Sequence, residues 1–154
     1  MATITLHLTS SSNPTNGYIV KYRQVGTTTY TTLQPYPTTL PIIISPVGAG
    51  VSYEGTIQPW CGGNQYGTLA TWTATVAARF NMSRDPSSPG NACLNTAYNF
   101  VFYAATAVLD INTQLYSDTG LSTPFTTAGY YSDGIKVYHV TEGGVVTSVA
   151  TCGV

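Results

Sequence analysis

The sequence predicts an all-β protein, and three observations carry that expectation. Apolar and polar residues alternate with a period of two in several segments. Threonine makes up 26 of the 154 residues, and its branched Cβ favours a pleated, half-buried backbone. Nowhere does an apolar stripe at i, i+3, i+4 run for three helical turns; the nearest stretch, TLATWTATVAARF, is crowded with β-branched residues and lacks a capping residue.

The elements follow in order. ATITLHL sets Ile4, Leu6 and Leu8 on one face and Thr3, Thr5 and His7 on the other. YIVKYRQ alternates in the same way after an Asn16-Gly17 turn. YTTLQP ends at prolines, PIIIS is a short buried run, VSYEGTIQPW alternates again, and GTLATWTATV follows the loop CGGNQYG. This spacing of strands and turns suits a β-sandwich. Residues 80–95, FNMSRDPSSPGNACLN, have the Pro, Ser, Gly and Asn content of a linker or long loop. Beyond them come AYNFVFYAAT, TQLYSD, GIKVYHV and GVVTSVATC, the last two flanking TEGG as a hairpin. The chain therefore reads as two small β modules, residues 1–77 and 78–154.

Composition narrows the function. Only 7% of residues are charged and the net charge is −1, so solubility rests on Thr, Ser, Asn, Gln and Tyr, as suits a particle exterior or an extracellular setting. Binding nucleic acid requires several cations to displace phosphate counterions. The five basic residues, Lys21, Arg23, Arg79, Arg84 and Lys136, are scattered, which argues against that role. The N-terminal MATITLHLTSSS has no positive leader region, and no apolar run approaches the ~20 residues of a membrane span. The expectation is a chain made in the cytoplasm and not inserted in a membrane.

Cys61, Cys93 and Cys152 match no zinc spacing, and His7 and His139 lie far apart in sequence. At least one thiol stays free. Cys93 and Cys152 lie near opposite ends of one module and could pair; without an export signal, reduced cysteines are the default. Glu54, Asp85, Asp110, Asp118, Asp133 and Glu142 mostly adjoin turn residues, which argues against the paired carboxylates of a glycosidase. No G-x-S-x-G elbow is present. Asp110, Asp118 and Asp133 fit no calcium-loop spacing. No catalytic residue, metal or cofactor is expected.

Sugar binding needs less: aromatic faces to stack on a ring and short polar groups to bond its hydroxyls. Trp60, Tyr66, Tyr103, Tyr130 and Tyr131 are candidate platform residues, while Trp72, on an alternating strand, reads as core. The tyrosines of the second module, with Tyr116 and Tyr138, also suit the cover of a small core, the reading the residues favour.

Two resemblances add to this. The run from NGYIVKYRQ through LPIIISPVGAGVSYEGTIQPW to GTLATWTATV resembles a fibronectin type III domain over residues 2–77. The match rests on a GY-x-V-x-Y-R strand, an apolar strand at Ile42–Ile44 and a G-x-x-Y-x-x-x-I strand. In it Tyr53 takes the place of the family's corner tyrosine, whose hydroxyl ties back to the preceding loop. The family's first strand has no counterpart here, nor has the tryptophan of its second strand, whose place Leu6 or Leu8 would fill. An edge left uncovered in this way would need cover from another chain or from the C-terminal half.

The second half, LYSDTGLSTPFTTAGYYSDGIKVYHVTEGGVVTSVATC with Cys93 upstream, resembles a module near the ends of phage virion proteins and of large surface proteins of Bacteroidetes. Leu115, Tyr116, Asp118, Leu121, Pro124, Phe125, Tyr131, Gly134, Tyr138, Val140, Gly144, Val146 and Cys152 carry that match. The residues themselves make structural sense as turn formers (Asp118, Asp133) and apolar anchors (Leu115, Leu121, Phe125). Together the resemblances imply a non-enzymatic structural protein of a bacteriophage particle, a decoration, head-fibre or tail-associated subunit. Its expected partners are capsid or tail proteins, host surface polysaccharide and further copies of itself. The alternative is an adhesion or carbohydrate-binding module of a bacterial surface or secreted protein.

Overall fold

The computed structural model describes residues 1–9 and 14–153. The alternating segments fold as strands, and all but one of the regular elements are β. The chain divides into two compact units, Met1–Val76 and Ala77–Val154.

In the first unit, β1 (Ala2–Leu6) pairs antiparallel with β4 (Ile42–Val47) as a two-stranded sheet. The second sheet holds β2 (Tyr18–Gln24), β3 (Thr31–Thr32), β5 (Val51–Gly62), β6 (Gln65–Tyr66) and β7 (Ala70–Val76). Its centre is β5, flanked by β2 on one side and by β7 and β6 on the other, with β3 outside β2. Ile4, Tyr18, Val20, Ile42, Ile44, Tyr53 and Ile57 point inward from both sheets and form one core. Period two explains the selection: Tyr53, Gly55 and Ile57 face in, while Glu54, Thr56 and Gln58 face out. Trp72 packs against this core, opposite Gly55, where a Cβ would meet the Lys21 carbonyl and come within 2.6 Å of the indole. Only glycine leaves room there for so large a ring.

In the second unit, β8 (Ala78–Asp85), β9 (Phe100–Ala104), β10 (Gly129–Ser132), β11 (Lys136–Val140) and β12 (Val146–Thr151) form one antiparallel sheet in the order β12-β11-β10-β8-β9. The β11–β12 hairpin turns through Thr141–Gly144, where the Gly144 N–H donates to the Thr141 carbonyl. On one face Met82, Phe102, Tyr131, Tyr138 and Val140 pack under Leu115, Phe125 and Val146. On the other face sits α1 (Pro89–Leu94), a short helix capped by Ser88, whose hydroxyl accepts from the Asn91 N–H. Ala92 is fully buried against the sheet, and the buried Ser83 hydroxyl donates to the Ala92 carbonyl at 2.7 Å. Cys93 of α1 is disulfide-bonded to Cys152, just past β12.

Two sequence expectations are corrected. Residues 80–95 are not a linker: they hold most of β8, which pairs with both β9 and β10, together with α1. Pro89 sits at the first turn of the helix, where its missing N–H costs nothing. TQLYSD is not a strand but a loop held by isolated bridges, Gln114 to Val145 and Tyr116 to Tyr103 and Pro124.

Candidate functional site

The five candidate platform residues do not form one site. Tyr131 leaves the set: its ring is fully buried, within 6 Å of Phe100, Phe102 and Phe125, and its hydroxyl donates to the Thr127 carbonyl. The cause is parity. Neighbouring residues of a strand face opposite ways, so the Tyr130-Tyr131 pair offers one ring to each face of the sheet. Burial pushes the Tyr131 phenol up to about 12, and burial with the Asp133 carboxylate does the same for Tyr138.

Tyr130 lies on the α1 side of the sheet, partly exposed and 4.8 Å from the His139 ring, whose Nδ1 is 2.7 Å from the Thr147 hydroxyl. Tyr103 pairs with Arg79 and Tyr130 with Asp85. Six residues of β8 separate those positions, roughly 20 Å along a strand. One ligand ring cannot touch both tyrosines.

Trp60 and Tyr66 do come together. They are directly opposed across the β5–β6 hairpin, on the outer face of the five-stranded sheet of the first unit. Trp60 is fixed at both ends. Its backbone exchanges bonds with the Asn16-Gly17 turn, and its Nε1–H donates to the Gly63 carbonyl. Tyr36, which the sequence did not single out, stands edge-on to Trp60 with ring centroids 5.6 Å apart. Its only sequence signal was an aromatic between two loop prolines, Pro35 and Pro37. Tyr66 is 50% exposed, and Trp60 and Tyr36 are partly exposed.

The face running from this patch is polar and carries little net charge. Glu54, Thr56 and Gln58 lead down β5 from Trp60, and Thr71, Thr73 and Thr75 run along β7. Arg23 neutralises Glu54 at 2.7 Å and lies 4.5 Å over the Tyr30 ring. Such a face offers rings to stack on at one end and a field of hydroxyls and amides beyond it.

The four aspartates are occupied in local turns. Asp118 accepts N–H bonds from Thr123 and Ser122, and Asp133 accepts them from Lys136 and Ile135. Asp85 accepts them from Ser88 and Ser87, and Asp110 from Ile111. Among the described residues no group of three or more His, Cys, Asp or Glu is arranged to hold a metal ion. Among the same residues no helix is long and apolar enough to cross a membrane. Comparison with family models, curated proteins and solved structures finds no match to this chain.

Proposed function

We propose that this protein is a non-enzymatic structural subunit of a bacteriophage particle and that its first unit contacts host-surface glycans. The observation that supports the binding role is the Tyr36–Trp60–Tyr66 patch at the end of a threonine-rich face, where Arg23 pairs with Glu54 and Lys21 adds a further cation. Stacking rings beside short neutral donors and acceptors suit a neutral polysaccharide better than an ionic ligand or a reacting bond. The carboxylates of Asp85, Asp118 and Asp133 are held in local turns, which favours binding over catalysis. The particle setting rests on the likeness of the Cys93–Cys152 module to virion proteins.

A second reading, an adhesion module of a bacterial surface protein, is favoured by one observation, the Cys93–Cys152 disulfide. Such bonds form and persist in oxidising compartments. An exported protein meets one during its synthesis, whereas a virion meets one only after release.

Mass spectrometry of gradient-purified particles from the source lysate separates the two. The first reading expects the intact chain to co-sediment with particles at fixed stoichiometry. Recovery only in membrane or culture-fluid fractions would leave the surface-protein reading standing.

A further inference from the structure

The first unit protects its sheet edges unevenly. A bare edge presents unpaired N–H and C=O groups that template another strand, and proteins blunt such edges with prolines, charges or short strands. Strand β4 contains Pro46 and is entered through Pro41. Strand β3 is two residues long and runs on toward Pro35 and Pro37, and β6 is equally short. Two strands lack such protection. Strand β7 carries neither proline nor charge and pairs, among the described residues, with β5 alone, but it belongs to a sheet of five strands. Strand β1, Ala2-Thr3-Ile4-Thr5-Leu6, is likewise without proline or charge, pairs among the described residues with β4 alone, and lies in a sheet of only two strands, which gains most from an added one.

We infer that β1 is a docking edge whose occupant is β1 of a second copy of this chain, paired antiparallel about a two-fold axis at Ile4. The strand is complementary to itself. Centred on Ile4, the pairing sets Thr3 against Thr5 of the partner subunit on the exposed face, a favourable cross-strand pair. It sets the small Ala2 against Leu6 of the partner subunit on the core face. No charge in the strand meets its own copy, and the chain's net charge is only −1. The pairing also closes. Two two-stranded sheets become one four-stranded sheet ordered β4-β1-β1-β4, and the strand left at each end is the proline-bearing β4. The contact is isologous and therefore gives a dimer rather than a fibre. In such a dimer each particle site would present two Tyr36–Trp60–Tyr66 patches.

The test is sedimentation over rising concentration together with hydrogen exchange, on the full chain carrying Cys61→Ser so that its exposed free thiol cannot link copies. The expected result is a dimer in which the Ala2–Leu6 amides gain protection as the dimer forms. Thr3→Lys with Thr5→Lys, both at exposed positions, should weaken association roughly tenfold or more by setting like charges opposite one another, with an unchanged circular dichroism spectrum. A monomer at every concentration overturns the inference, whether its β1 amides exchange freely or are covered within the chain. So does a dimer that protects β7 (Ala70–Val76) or any surface other than β1.

Discussion

The Gly48 N–H donates to the Tyr53 hydroxyl at 2.8 Å. The bond spans the corner where β4 ends at Val47 and β5 begins at Val51, so a core side chain from the central strand fastens the turn that precedes it. The Tyr53 ring is buried, 6.5 Å from Tyr22 and tilted against it. Burying a phenol here requires its polar tip to find a partner, and the corner supplies one. Replacing Tyr53 with Phe keeps the ring and removes the tie. The expected cost is about 1–2 kcal/mol, a fall of roughly 5–10 °C in the melting of a unit this size. Thermal melting followed by tryptophan fluorescence measures it, because both tryptophans, Trp60 and Trp72, lie in the first unit. A melting temperature equal to wild type would show that the corner holds without the bond.

The second unit depends on a different fastening. The Cys93–Cys152 bridge closes a loop of 59 residues in sequence, and constraint of the unfolded chain by a loop that long is worth about 4 kcal/mol. Cys93→Ala with Cys152→Ala should therefore lower the melting of the second unit steeply. The tryptophan-reported transition of the first unit should move little. Tyrosine near-ultraviolet dichroism follows the second unit. Equal loss in both transitions would mean that the units unfold as one.

How much of this was legible in the sequence depends on how many signals coincided at each residue. Strands β1, β2 and β5 each have one face in the core and one in solvent, so their alternation was plain. The β11–β12 hairpin was equally plain from its glycine turn. Strand β8 was hidden because both of its faces are covered in part. Met82 enters the aromatic core while the neighbouring Ser83 is buried under α1, and a buried serine reads as loop. The helix could have been found from Ser88 followed by Pro89, an N-cap and first-turn pair, but the same residues also make up loops. The site was half legible. Trp60 and Tyr66 were visible as aromatics flanking a glycine turn, whereas Tyr36 reaches them from a distant loop that no local pattern connects. One of Tyr130 and Tyr131 could have been excluded at once, because two adjacent tyrosines on a strand cannot share a face; that it is Tyr131 depends on the aromatic core it meets, which lies far off in sequence.

Two limits on pH stability follow from groups with shifted ionisation. The Tyr131 and Tyr138 phenols are pushed up to about 12 from 10.0, chiefly by burial. Above pH 10 the unfolded chain gives up these protons and the folded chain does not. Their contribution is therefore intact below pH 10 and lost as pH rises toward 12. The Asp118 carboxyl is held below its ordinary 3.8 mainly by the Thr123 backbone N–H, and that of Asp85 by the Ser87 and Ser88 N–H groups. Their contribution is present above pH 3.8 and is lost as pH falls below it. All four residues lie in the second unit, so its denaturant midpoint should drop at both extremes. Tyr131→Phe should flatten the alkaline limb, and Asp118→Asn the acid limb. An alkaline limb unchanged in Tyr131→Phe would remove that phenol as its cause.

Glycan contact, finally, should be confined to one patch. Trp60→Ala with Tyr66→Ala removes two opposed rings from the outer face of the β5–β6 hairpin. Stacked rings contribute about 0.5–1.5 kcal/mol each, so the double change should weaken binding to purified host-surface polysaccharide by roughly tenfold or more. Tyr130→Ala, on the sheet of the second unit and packed on His139, should leave it within about twofold of wild type. Glycan addition should also shift the Trp60 emission, a signal that survives Trp72→Phe because Trp72 packs against the core. If Tyr130→Ala abolishes binding while the Trp60 and Tyr66 changes do not, the contact belongs to the second unit. Under the proposed particle setting, many copies would need only a modest single-patch affinity, because simultaneous engagement multiplies it. The affinity difference is therefore best read on isolated protein, and if the proposed particle setting holds, whole particles should show it as a steep dependence on the fraction of wild-type subunits.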